Sequence, residues 1–164
     1  MFPVSSILWP TDGGEPSYKA LDAAIGIAEK FNARIYALRV VAPVPALAGP
    51  GYAPTIGAGY EPMAIKGYDV PLYQQELLKS AENELSQVVA RKVPKEIEIT
   101  QEVKIGTPAD VIIEFGREKN VDIIIMSTHG RTGISRFMIG SVAEKTIRQS
   151  TIPLLVIPAA SAAD

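Results

Sequence analysis

Apolar positions change their spacing in a regular order along this chain, and that order predicts its elements. Val4 to Pro10 (VSSILWP) is a short apolar run that meets the turn-forming Thr11-Asp12-Gly13-Gly14, so it reads as a first strand. Ala20, Leu21, Ala24, Ile25, Ala28 and Phe31 recur at helical spacing, which predicts a helix from about Ser17 to Asn32. Ala33 to Val41 (ARIYALRVV) is rich in β-branched and aromatic residues and reads as strand two.

The periodicity then stops. Ala42 to Pro71 holds six of the 13 prolines and five of the 13 glycines, with Tyr52, Tyr60 and Tyr68 spread through it. That density prevents regular structure. An insertion this long in a compact domain is a functional lid, a partner-binding loop or a disordered segment, and the sequence leaves these open.

Helical spacing returns at Leu77, Leu78, Ala81, Leu85, Val88 and Val89, which predicts helix two over Leu72 to Lys92. Ile97, Ile99, Val103 and Ile105 alternate with polar residues as strand three, buried on one face and at an edge of the sheet. Thr107-Pro108-Ala109-Asp110 signals a helix start, with a capping hydroxyl and a proline at the first helical position; helix three runs to about Lys119. The apolar run Val121 to Met126 is strand four. A glycine-bearing loop, Ser127 to Gly140, leads to helix four (Ser141 to Ser150) and strand five (Pro153 to Ile157). Strictly alternating strands and helices imply a single α/β domain: a five-stranded parallel sheet with helices on both faces, Rossmann-like in architecture. Ligands of such sheets bind beyond the carboxyl ends of the strands, where the strand order reverses. If strands one and four flank that point, Asp12 and the Ser127 to Ser141 loop meet.

Composition narrows the function. A chain of 164 residues that is 47% hydrophobic buries one real core. A net charge of −2, without clustered Lys and Arg, argues against nucleic acid as a partner. Zero cysteines removes disulfides and thiolate chemistry. No basic segment with a long apolar run opens the chain and no run approaches a membrane span, so a cytoplasmic protein without membrane contact is the expectation.

The candidate chemistry lies in the loop after strand four. Its three glycines, Gly130, Gly133 and Gly140, allow close backbone approach, and the first N–H groups of helix four carry partial positive charge, so the loop can hold phosphates. Arg131 adds a cation there, whereas Lys145 and Arg148 serve either phosphates or the solvated helix surface. The plainer reading of Ser141-x-x-Glu144 is a capping box, and that of Asp12 is a helix cap. His129 is the one histidine and reads as a hydrogen-bonding loop residue rather than a catalyst. The Walker loop, the G-x-G-x-x-G fingerprint, the nucleophile elbow and H-E-x-x-H are all missing, and no base and nucleophile pair stands out. Binding therefore fits better than rapid catalysis.

These residues resemble the universal stress protein family. ATP-binding members carry G-x2-G-x9-G-[ST] between strand four and helix four, and here the run is Ser127-x2-Gly130-x9-Gly140-Ser141, with a serine at the first glycine position. STHGRTG, GSVAEK, ILWPTDG and LRVV are also typical of the family. The resemblance implies strand order 3-2-1-4-5, ATP as ligand and a homodimer. It places Asp12 and Val40 at adenine or ribose with Pro10 and Thr11 close by, and Gly130, Gly140, Ser141 and Val142 at ribose and phosphates. A divalent metal, Mg or Mn, would be held through those phosphates. In that topology strand five is an edge, yet Leu154, Leu155, Val156 and Ile157 are apolar on both faces, so a partner strand would cover them.

Three functions are thereby in view. The first is an ATP-binding stress or signalling protein that acts as a nucleotide-dependent homodimeric switch, its protein partner unnamed by the sequence. The second is a weak ATPase or nucleotidyl-transfer enzyme, and the third a nucleotide-free dimeric adaptor, which Ser127 favours.

Overall fold

A computed structural model describes residues 4–43, 70–128 and 139–158. The elements run β1 (Ser6–Thr11), α1 (Glu15–Phe31), β2 (Arg34–Val41), α2 (Val70–Lys92), β3 (Ile99–Ile105), α3 (Pro108–Glu118), β4 (Ile123–Ser127), α4 (Ser141–Gln149) and β5 (Leu154–Ile157). Most of the Pro/Gly-rich insertion, residues 44–69, lies outside the described residues. Its predicted end is corrected slightly, because α2 already begins at Val70 and takes Pro71 into its first turn, where the N–H that proline lacks has no helical partner to lose.

The strands form one parallel sheet in the order β3-β2-β1-β4-β5. Alternation along each strand sorts the core into two layers. Ile7, Trp9, Ile35, Ala37 and Ile125 face α1 and α2, where Leu21, Ala24, Leu85 and Val89 complete one cluster. Leu8, Leu38, Ile124 and Met126 face the other way and pack with Ile112, Phe115 and Ala143 of α3 and α4. Residues of β1 are buried on both faces, as a central parallel strand requires. All four residues of β5, by contrast, are half-buried at the sheet edge.

At the amino ends of the strands, Asp122 ties β4 to β1. Its Oδ2 accepts hydrogen bonds from the Ser5 N–H and hydroxyl (both 2.8 Å) and from the Ser6 N–H and hydroxyl (both 2.9 Å). Burial alone would raise the Asp122 pKa. The Ser5 and Ser6 donors outweigh it and hold the carboxyl below its ordinary value.

Two expected caps differ from the sequence reading. Thr107 is the N-cap of α3 with Pro108 after it, but its hydroxyl makes no capping hydrogen bond. The cap of α4 is Gly140, not Ser141, again without a side-chain bond, and Glu144 pairs with Arg148 at 3.0 Å instead of reaching back. The capping-box reading of Ser141-x-x-Glu144 is therefore replaced. Ser141 is already the first helical residue, so its hydroxyl is one position too late to cap.

Candidate functional site

The site originates in a strand pair that separates early. β1 runs in register with β2 from Ser6↔Arg34 to Thr11↔Arg39, whereas among the described residues it pairs with β4 only at Ile7↔Ile123 and Leu8↔Ile124. The reason is Pro10. The Ser5 carbonyl accepts the Arg34 N–H and the Ser6 carbonyl accepts the Asp122 N–H, so odd residues of β1 point their backbone groups at β2 and even ones at β4. Pro10 falls on the β4 side and has no N–H to donate there. The ladder ends, and a crevice opens at the carboxyl ends where the strand order reverses.

That crevice is a cavity of about 110 Å³ with an apolar floor and a polar rim. Leu38, Ile112 and Met126, all buried, form the floor, and the half-buried Val40 and Val142 extend it. Asp12, Ser127, Thr128 and Gly140 supply the polar rim. A flat heteroaromatic group suits the floor, while hydroxyls and phosphates suit the rim and the partial positive charge at the start of α4.

Hydrogen bonds fix the β1–α1 loop on one side of the cavity. Asp12 Oδ1 accepts the Gly14 N–H (2.9 Å), and Thr11 Oγ1 accepts the Gly13 N–H (3.0 Å). The Ser17 hydroxyl, 2% exposed, meets the Thr11 hydroxyl at 2.7 Å and bonds the Gly14 carbonyl at 2.7 Å, while the Trp9 indole N–H donates to the Ser17 carbonyl. Asp12 thus holds the loop in a turn, two residues ahead of the cap of α1, which is Gly14. Across the cavity, the loop between β4 and α4 is closed at its base. The Gly140 N–H donates to the Thr128 carbonyl at 2.7 Å, and the Thr128 N–H donates to the Ile157 carbonyl of β5.

The structure brings most of the sequence-predicted residues together. Pro10, Thr11, Asp12, Val40, Ser127, Gly140 and Val142 line this one cavity, and exposed Ser141 follows Gly140 at the start of α4. His129, Gly130, Arg131 and Gly133 lie outside the described residues. Lys145 and Arg148 do not line the cavity: Lys145 pairs with Asp110 of α3 (2.7 Å) and Arg148 with Glu144, so the helix-surface reading holds for both. Sequence reasoning missed Ser17, Leu38, Pro108, Ile112, Met126, Thr128 and Ala143. Alternation would have paired Leu38 with Val40 on one face. Nothing in the linear pattern says that the first turns of α3 and α4 meet over it.

Comparison with known proteins agrees with this architecture. The model of the universal stress protein family matches residues 3–158. Universal stress protein MJ0531 of Methanocaldococcus jannaschii is 35% identical over 156 residues, covering 92% of this chain and 80% of that protein. Among solved structures, the protein MJ0577 superposes with a TM-score of 0.76 at 20% identity, covering 98% of this chain and 99% of that one. Two further structural neighbours are nucleotide complexes. A universal stress protein in complex with cAMP gives a TM-score of 0.57 at 21% identity over 96% of this chain and 99% of its own. One from Archaeoglobus fulgidus in complex with dAMP gives 0.52 at 18% identity over 95% and 98%.

Proposed function

The chain belongs to the universal stress protein family, and from that premise we propose that it is a homodimeric switch that binds an adenine nucleotide, ATP, in the crevice between β1 and β4. The observation that carries the proposal is the cavity itself, an apolar floor with Asp12 on one rim and the start of α4 on the other. In this reading the base lies on Val40, Leu38 and Met126, with Pro10 and Thr11 beside it. Asp12 accepts from the base or the ribose. Gly140, Ser141 and Val142 present backbone N–H groups to the phosphates, Ser127 contacts the ribose, and His129, Gly130, Arg131 and Gly133 complete the cradle. Mg or Mn is held mainly through the phosphates. That two structural neighbours are complexes with cAMP and dAMP supports an adenine nucleotide as the class of ligand.

The dimer is proposed through β5. The Ile124 N–H donates to Pro153 and the Thr128 N–H to Ile157, so the backbone groups of Leu154 and Val156 point away from β4, toward the open edge. A second β5 would pair with them and cover four half-buried apolar residues. Nucleotide acts on this dimer only as far as it binds one arrangement more tightly than another.

The test is to release bound ligand from freshly purified protein by heat and identify it by mass spectrometry. ATP at near one per chain supports the nucleotide part of the proposal; AMP or a cyclic nucleotide keeps the site and replaces the ligand. Protein that carries no nucleotide and takes none up favours the adaptor reading that Ser127 introduced.

A further inference from the structure

Arg39 is a buried cation for which nucleotide binding has no direct use. It lies in register with Thr11 and shares its face of the sheet, the face of α1 and α2. Its side chain is 11% exposed and pairs with Glu84 Oε2 of α2 at 3.1 Å. A charge is rarely held so deep without a structural purpose, because desolvation offsets most of what the pair gains.

Its other contact supplies that purpose. Gly13 has φ +78°, a left-handed conformation that suits glycine. The place where a Cβ on Gly13 would stand is filled by the Arg39 guanidinium: Nη1 would collide with it, and Cζ and Nη2 would lie at 2.9 and 3.2 Å. The guanidinium therefore abuts the turn between Asp12 and Gly14 edge-on, with Nη1 closest. Tyr18 secures the same turn from α1 by donating its hydroxyl to the Gly13 carbonyl at 3.1 Å.

We infer that Arg39 is a positioning residue, which holds the Thr11 to Gly14 turn in the conformation that presents Asp12 to the cavity and which is itself aligned by Glu84. Glycine is the residue with the widest conformational range, so beside the turn's own hydrogen bonds a neighbouring group that fills the Cβ position of Gly13 narrows what the turn can adopt and acts as a stop. The guanidinium is that stop, and its fork can face Glu84 and the Gly13 peptide at once, which the point charge of a lysine cannot. If the turn leaves its binding-competent form, apparent affinity falls in proportion to the competent fraction left. The affinity part of this inference rests on the nucleotide reading above; the loop part does not.

The experiment compares full-length wild type with Arg39→Met, Arg39→Lys and Ile35→Val. Ile35→Val trims the core of β2 at its far end, away from the loop. Amide hydrogen exchange is read at Gly13 and Gly14 against the amides of β1 and β2, and Mg-ATP is titrated calorimetrically. Arg39→Met is expected to speed exchange at both glycines about tenfold and to raise the dissociation constant about tenfold, with Arg39→Lys between it and wild type. Ile35→Val changes neither. Unchanged exchange at Gly13 and Gly14 in Arg39→Met overturns the inference, as does equal acceleration in Ile35→Val. Wild type that takes up no Mg-ATP defeats the nucleotide reading alone, since the exchange measurement still decides on Arg39.

Discussion

Replacing Asp122 tests how the sheet is held closed at one end while it opens at the other. One carboxylate oxygen accepts four donors from Ser5 and Ser6, and the four are unequal. Ser5 is exposed, so water replaces Asp122 as its partner at little cost. Ser6 is buried, and without Asp122 its N–H loses its acceptor beside β4. An orphaned buried donor costs ~1–3 kcal/mol, and hydrogen bonds to a charged acceptor contribute ~1.5–3 kcal/mol, less where solvent screens them. Because all four share one oxygen they do not add, and Asp122→Ala is expected to cost about 2–3 kcal/mol, or roughly 4–12 °C in melting temperature for a domain of this size. Asp122→Asn keeps a neutral acceptor and is expected to cost about 1 kcal/mol. The pH dependence has a definite sign. The folded-state pKa lies below the ordinary value, so the charge contributes stability above that ordinary value and loses it as pH falls through the folded one. In urea melts followed by circular dichroism, the gap between wild type and Asp122→Asn should stay constant from about pH 7 to 5 and shrink below about pH 4. A gap that persists undiminished at pH 3, or an alanine variant within about 0.5 kcal/mol of wild type, would refute the assignment.

Three other substitutions address the site and the proposed dimer. Gly13→Ala combines a left-handed φ with a collision against the tip of the Arg39 side chain, which can shift, and is expected to cost about 1–2 kcal/mol in denaturant melts; a loss under about 0.5 kcal/mol would mean that the turn relaxes freely. Asp12→Ala removes an acceptor from the rim and should weaken Mg-ATP about tenfold by calorimetry, and unaltered affinity would take Asp12 out of the site. Val156→Pro deletes an outward-facing N–H of β5 and should turn a dimer into a folded monomer in analytical ultracentrifugation, while a persistent dimer would move the interface elsewhere.

The architecture was legible because helical and strand periods alternate cleanly on either side of the Ala42 to Pro71 insertion, and every predicted strand and helix exists in the described residues. The boundary of α2 shifted because proline marks a first turn as readily as a loop. The capping box failed for a reason of geometry: Gly140, one residue earlier, already has the extended backbone of a cap, so Ser141 starts the helix. The site was half legible. Asp12, Gly140 and Val142 sit at the ends of strands and starts of helices, where motif reasoning looks. Ile112, Met126 and Ala143 are ordinary apolar residues in sequence, and only the packing of α3 and α4 over β1, β2 and β4 makes them line one cavity. Pro10 carried more information than its place in an apolar run suggested. Its side of the strand determines that β1 parts from β4 and not from β2, and that parity needs the sheet order before it can be read.

The measurement closest to the central claim is calorimetric titration of nucleotide-stripped protein with Mg-ATP and with AMP, coupled to melting temperature. The account predicts saturable binding of one adenine nucleotide per chain, and about 2.7 kcal/mol of added stability at a free concentration one hundred times the dissociation constant. No heat of binding and an unmoved melting temperature with both nucleotides at saturating concentration would contradict it.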